Sequence, residues 1–269
     1  MKHFDDSIKQ WLPQSHPWRQ LIHYFPTIDS TNTQAKLLAR NGAPEGTVVI
    51  ADHQSQGRGR MGRSFYSPSN SGLYLSVVLR PNCTPDKLMH LTCAVGVAVC
   101  DAIQKSCDIR PGIKWINDLV WNHKKLGGIL VEMAVAPQTG LVDFAIVGIG
   151  INCTQQTGDF PPELRDIATS LSLITDQPLR RSHLAAALID ALSATAANLI
   201  QDKELTMKQY RSDCVTLGQA VAVHGFDQVR HGTALDVDAQ GGLLVQFPNG
   251  HIETVAAGEV SIRGMYGYV

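Results

Sequence analysis

No stretch of the 269-residue sequence is both apolar and long enough to cross a bilayer; the longest, LTCAVGVAVCDAI from Leu91, is short and broken by Asp101. The opening residues, MKHFDDSIKQWLPQ, lack the charged, apolar and small-residue zones of a secretory signal, so a cytoplasmic protein is expected. Neither sign of charge is in excess. The 23 basic and 24 acidic side chains leave a formal −1, which argues against non-specific adhesion to nucleic acid or membrane. The six cysteines (83, 93, 100, 107, 153 and 214) include no C-x-x-C pair and read as small apolar core residues in a reducing compartment. No H-E-x-x-H or other metal pattern is present, nor G-x-S-x-G or another nucleophile signature. What the sequence does have is 44% hydrophobic residues, enough for a substantial core in one large domain with or without a small appendage.

Patterning divides the chain in two. Short helical pieces are expected around Trp11 and Trp18, and a helix capped at Ser30 and stopped by Asn41-Gly42 follows. TVVIADH from Thr47 and GLYLSVVL from Gly72 read as strands. Thr84-Pro85 opens a helix over 85–107. Then come three strand-like runs, IRPGIKWI, KLGGILVEMAV and LVDFAIVGIGIN, the first two joined by a hairpin turn at Asn122-His123, and helices from 182 to 214. Beyond Thr216 the character becomes short strands separated by turn signals, the pattern of a small β-barrel. Two domains, 1–215 and 216–269, are therefore expected, the larger of α+β class because its strands are mostly hairpin-linked.

The sharpest local feature is GRGRMGR at 57–63. It matches G-x-G-x-x-G, yet a strand rather than a helix follows and no acid lies in the next twenty residues, so dinucleotide binding is rejected. What is left is a glycine-rich loop carrying Arg58, Arg60 and Arg63 with no carboxylate inside it, suited to clamping an anion; an exposed basic loop is the plain alternative. Lys114, in KWIND at a strand end, suits a carboxylate or phosphate. Gly128, Gly148 and Gly150 sit inside strands, where glycine weakens packing unless something approaches the backbone closely. Asn152 is at that strand's exit. Ser30, Thr31 and Asn32 are cap-type residues whose helix start could also face a ligand.

Taken in order, DSTN, GRGRMGR, KWIND-L, KLGGILVE and VGIGIN resemble the biotin–protein ligases, from about Pro26 to Asn152 and more loosely into the C-terminal part. The resemblance implies a catalytic domain like that of class II aminoacyl-tRNA synthetases followed by an SH3-like domain. It implies joining of biotin to ATP as biotinyl-adenylate, with Mg²⁺, and transfer to a lysine of a biotin carboxyl carrier protein. By position it places Ser30, Thr31, Asn32, Gln54, Gly148 and Gly150 around biotin. Arg58, Gly59 and Arg60 would close over the carboxylate and phosphate. Lys114 would stand at the junction of carboxylate and α-phosphate, and Phe65 and Asn152 beside the nucleotide. Phe65 replaces a tryptophan common in the family, Met61 one loop arginine, and Ile116 the usual proline of the lysine motif.

About 25 residues precede the resembling region, too few for the DNA-binding domain that some members carry, so no DNA partner and no membrane are expected. The chain is expected to act as a monomer or homodimer, with Asp118 orienting the acceptor amine or a metal. A lipoate ligase on the related fold and a non-catalytic biotin sensor are the competing readings; the arginine loop argues against the former.

Overall fold

The structure, a computed structural model, describes residues 4–224, 229–256 and 261–264, the last four by backbone alone. Its larger sheet has seven strands: β1 (Ile22–Ile28), β2 (Val48–Gln54), β3 (Gly72–Leu79), β4 (Gly112–Lys114), β5 (Asp118–Trp121), β6 (Lys124–Val135) and β7 (Val142–Asn152). They lie in the order β1-β2-β3-β7-β6-β5-β4. β1 and β2 run parallel and every other pair antiparallel, so the sheet is mixed.

Period-two alternation sorts the strands between two apolar layers. On one face Val48, Ile50, Leu73, Leu75, Val77, Ala145, Val147 and Ile149 join the main core with α3 (Leu91–Cys107) and α4 (Arg181–Asn198). On the other, Val49, Val78, Phe144 and Ile146 pack under α2 (Thr31–Arg40) through Ala35 and Ala39. That second layer is short. Along β7 the α2-facing positions run Phe144, Ile146, Gly148, Gly150, Asn152, so the apolar cover gives way to bare backbone just past the start of α2.

Several expectations are corrected. The helix over 85–107 is two pieces, a 3-10 turn Pro85–Leu88 and then α3, because His90 between them is buried with its Nε2 2.9 Å from the Leu199 carbonyl. IRPGIKWI is not one strand: β4 holds three residues and the chain reverses into β5. Near the N-terminus one helix, α1 (Phe4–Lys9), precedes Trp11, and Trp18 lies in turns between Pro13 and β1. Asn122 and His123 form the hairpin turn, both at positive φ (44° and 63°). Five cysteines are buried and all six are free thiols, with burial pushing Cys153 up to about 12.

After α5 (Lys203–Asp213) a five-stranded antiparallel sheet is built from β8 (Ala220–His224), β9 (Val229–Val237), β10 (Leu243–Gln246), β11 (Ile252–Val255) and β12 (Ser261–Gly264), in the order β11-β10-β9-β8-β12. Residues 257–260 of the last strand-like run lie outside the described residues. The two parts meet at the β4–β5 hairpin. The buried Trp115 donates its backbone N–H to Thr216 Oγ1 and its indole N–H to the Gly241 carbonyl, each at 2.9 Å. Tyr210 donates to the Ile116 carbonyl from α5. No described helix is long and apolar enough to cross a membrane.

Candidate active site

The sheet register builds the floor of the site. Gly148 lies between Ser76 of β3 and Leu130 of β6; Gly150 lies between Tyr74 and Gly128. Two adjacent strands thus bring glycines side by side, and a Cβ on either β7 glycine would meet a side chain of this chain. At Gly148 it would overlap the Asn32 carboxamide, at Gly150 the Phe65 ring. Strand glycine here makes room above the sheet.

The start of α2 supplies the adjoining wall. Ser30 occupies the N-cap position in an extended conformation but makes no side-chain cap bond. The first amide of the helix is instead held by a residue far along the chain: Thr31 donates both its N–H (2.8 Å) and its hydroxyl (3.0 Å) to Gln54 Oε1. Gln54 Nε2 in turn donates to Ser67 Oγ at 2.9 Å, so its amide is fixed at both ends. The Ser76 hydroxyl donates to Asn32 Oδ1 at 2.6 Å and lies 2.8 Å from the Thr31 hydroxyl. Ser30, Thr31 and Asn32 are each buried, which makes this a preorganised polar wall.

The arginine loop folds over that wall. Gly59 N–H donates to the Arg63 carbonyl at 2.7 Å and a 3-10 turn covers Arg60–Gly62. Its cations have partners that lie outside the loop. Arg58 forks onto both oxygens of Glu132, at 3.1 and 3.2 Å, while Arg60 donates to Asn117 Oδ1 at 2.9 Å. Burial lowers the pKa of the Arg60 guanidinium, opposed by the nearby Asp118 carboxylate; a guanidinium remains charged regardless. Glu132 also accepts from Asn32 Nδ2 (3.1 Å) and Lys36 Nζ (3.3 Å). Burial by itself would raise its pKa, but the Asn32 hydrogen bond and the charges of Arg58 and Lys36 outweigh that and hold it below the usual value. Opposite the loop, Lys125 Nζ donates to Asp118 Oδ1 at 2.7 Å.

These elements enclose a cavity of about 40 Å³. Of the residues expected from sequence, Ser30, Thr31, Asn32, Gln54, Arg58, Phe65, Asp118, Gly128, Gly148 and Gly150 line it. Gly59 and Arg60 stand beside it in the loop, Arg60 through its bond to the lining residue Asn117. Two do not reach the lining. Lys114 is buried and paired in register with the lining residue Asp118, next to the hairpin turn. The Asn152 carboxamide donates to the Thr169 carbonyl and accepts from Gln155. Sequence reasoning missed Asn117, Lys125 and Glu132. A carboxylate interrupting the apolar run GILVEMAV was the one signal for Glu132; the second lysine of KKLGG gave none distinguishable from a hairpin charge. Among the described residues no three His, Cys, Asp or Glu side chains converge as a metal site.

The site therefore joins a rigid amide-and-hydroxyl wall and a glycine floor to two lining cations, Arg58 and Lys125, each held by a carboxylate. The chain matches the model of the Biotin/lipoate A/B protein ligase family over 24–152 and that of the biotin protein ligase C-terminal domain over 216–263. It is 36% identical over 232 residues to the bifunctional ligase/repressor BirA of Bacillus subtilis, covering 86% of this chain and 71% of that protein. With the biotin–[acetyl-CoA-carboxylase] ligase of Mycobacterium tuberculosis the identity is 34%, over 90% of this chain and 89% of the other. The biotin protein ligase of Aquifex aeolicus, solved with biotin and ATP, superposes with a TM-score of 0.75 at 29% identity, covering 90% of this chain and 98% of that one. The chain belongs to the biotin protein ligase family and is a ligase.

Proposed function

We propose that this ligase activates biotin with ATP to biotinyl-5′-adenylate and transfers the biotin to one lysine of a biotin carboxyl carrier domain. The observation that carries the reading is the two-ended cavity: fixed amides and hydroxyls at Thr31, Asn32 and Gln54, and cations at Arg58 and Lys125. The uncharged end suits the ureido head group, the charged end the carboxylate and α-phosphate.

Bringing a carboxylate to a triphosphate works against their repulsion, so the first task is neutralisation and alignment. Lys114, Arg58 and Arg60 supply it in this reading, with Lys125 beside them on Asp118. The carboxylate oxygen attacks the α-phosphorus and pyrophosphate leaves. The acceptor amine then attacks the mixed-anhydride carbonyl, AMP departs, and no enzyme nucleophile is required. Asp118, on the same wall, orients that amine. Lys114, opposite Asp118 in the hairpin register, takes the junction of carboxylate and α-phosphate, and Phe65 offers a π-face to adenine from above Gly150. Asn152 acts on the nucleotide through the segment it ties down. Mg²⁺ enters with ATP: Asp118 is the one carboxylate among the cavity-lining residues and it is bound to Lys125, so the donor set does not fit a resident ion.

The same reading takes residues 1–215 as the catalytic domain, with a sheet of the class II aminoacyl-tRNA synthetase kind, and 216–269 as an SH3-like domain. Incubation with biotin, ATP and a carrier domain tests the function. The carrier's mass is expected to rise by one biotin, and only when ATP is present; an unchanged mass, or a gain without ATP, would refute it.

A further inference from the structure

We propose that Glu132 is a positioning residue that competes with the substrate anion for Arg58, standing in the protein where the ligand's negative charge will act. The proposal rests on the biotin-and-ATP reading above. Glu132 projects from the α2-facing side of β6, in line with Gly128 and Leu130 of the cavity floor, and is the one carboxylate in a run of apolar strand residues. Its partners among the described residues belong to the site or its rim: Asn32 from the wall, Lys36 one turn further along α2, and Arg58 from the loop.

The geometry separates its two sides. Asn32 holds one oxygen on the buried side at 3.1 Å, and that bond needs only an acceptor, charged or not. Arg58 forks onto both oxygens from the outer side, and that arrangement needs a carboxylate. The Arg58 side chain is 44% exposed against 19% for Glu132, so the arginine is the movable partner and the glutamate the fixed one. A guanidinium exchanges one carboxylate for another at little net cost, because both offer the same planar pair of acceptors. Arg58 is thereby kept at the cavity mouth, pre-aimed but engaged, and an incoming carboxylate or phosphate must take it from Glu132. A neutral ligand has nothing to offer it. The contact therefore sets a cost that only a ligand charged at that end has to meet.

Glu132→Gln keeps an oxygen for Asn32 and removes the charge, and calorimetric titration of the full chain with biotin and with neutral biotinamide reads the consequence. An ion pair of this exposure corresponds to about a three- to tenfold change in affinity. Biotin is expected to bind Glu132→Gln that much more tightly while biotinamide binds both proteins equally. In an Arg58→Ala background the same substitution is expected to leave biotin affinity unchanged. Weaker or unaltered biotin binding, or an equal shift for both ligands, would show that Glu132 only shapes the wall. The Arg58→Ala protein alone, in which the Asn32–Glu132 bond is untouched, gives a second reading: its preference for biotin over biotinamide must shrink, and an unchanged preference overturns the proposal. Should the unmodified protein bind neither ligand, the functional reading itself fails, and that is distinguishable from failure of the exchange alone.

Discussion

At the scale of single residues, the two lysines of the β4–β6 region separate by burial and by strand. Lys125 of β6 lines the cavity with its ammonium on Asp118; Lys114 of β4 is buried and stands opposite the same Asp118 in the register. Lys114→Ala is expected to slow pyrophosphate release by the equivalent of about 2–4 kcal/mol of transition-state stabilisation. Lys125→Ala should slow it at least tenfold less. The reverse order in a pyrophosphate-release assay would give the junction role to Lys125. The family resemblance singled out Lys114 through KWIND, whereas Lys125 comes into view only once the folded hairpin sets it against Asp118. Likewise, Arg58 and Arg60 were legible as the cations of a glycine-rich loop. Their partners Glu132 and Asn117 lie 74 and 57 residues away, a separation that no local pattern encodes.

At the scale of elements, β7 and the arginine loop carry separate expectations. Gly148→Ala would set a methyl group onto the Asn32 carboxamide, which Ser76 and Glu132 hold from two sides and which therefore cannot yield. A loss of about 1–3 kcal/mol in stability is expected from such overpacking, read by urea unfolding, together with weakened biotin binding. Glycines inside VGIGIN were legible as close-approach positions; that the approaching groups are Asn32 and Phe65 was not, since it follows from β7 lying between β3 and β6. In the loop, Arg58 is neutralised by Glu132 and Arg60 is tethered to Asn117 across the cavity. Arg60→Gly removes one tether, and a charge-assisted contact of roughly 1.5–3 kcal/mol corresponds to about ten- to a hundredfold faster escape of the adenylate. The variant is expected to consume ATP and biotin while labelling lysines of an unrelated protein in the mixture. Bystander labelling at the unmodified level, with adenylate still forming, would show that Arg60 does not retain it.

For the molecule as a whole, the α+β division and the change of character near Thr216 followed from patterning, while the break at His90 did not. His90 is fully buried where a helix interior was expected, and burial lowers its pKa from the ordinary 6.5. The folded protein holds the ring neutral, whereas the unfolded chain takes up a proton near pH 6.5. Below that pH the unfolded state binds more protons, so stability present above it is lost as pH falls. Thermal midpoints measured between pH 7.5 and 5.5 should decline, and His90→Gln, which retains a donor for the Leu199 carbonyl, should flatten the decline. An equal slope in the variant would assign the pH dependence to other groups, His16 first among them, since burial lowers its pKa too.

Trp115 gives the C-terminal part a standing that its position at the end of the chain conceals. The indole that donates to Gly241 belongs to the residue immediately after Lys114 and two before Asn117, so the loop around Gly241 acts as a splint on the hairpin that presents Asn117 and Asp118. The small sheet is then no exchangeable passenger. A chimaera that joins residues 1–215 to the corresponding segment of a distant relative should fold and yet lose adenylation rate unless the donor loop offers a carbonyl at the same place. Grafting the 238–242 turn along with the foreign segment should restore that rate, which makes the unit of inheritance the turn together with the hairpin rather than the domain.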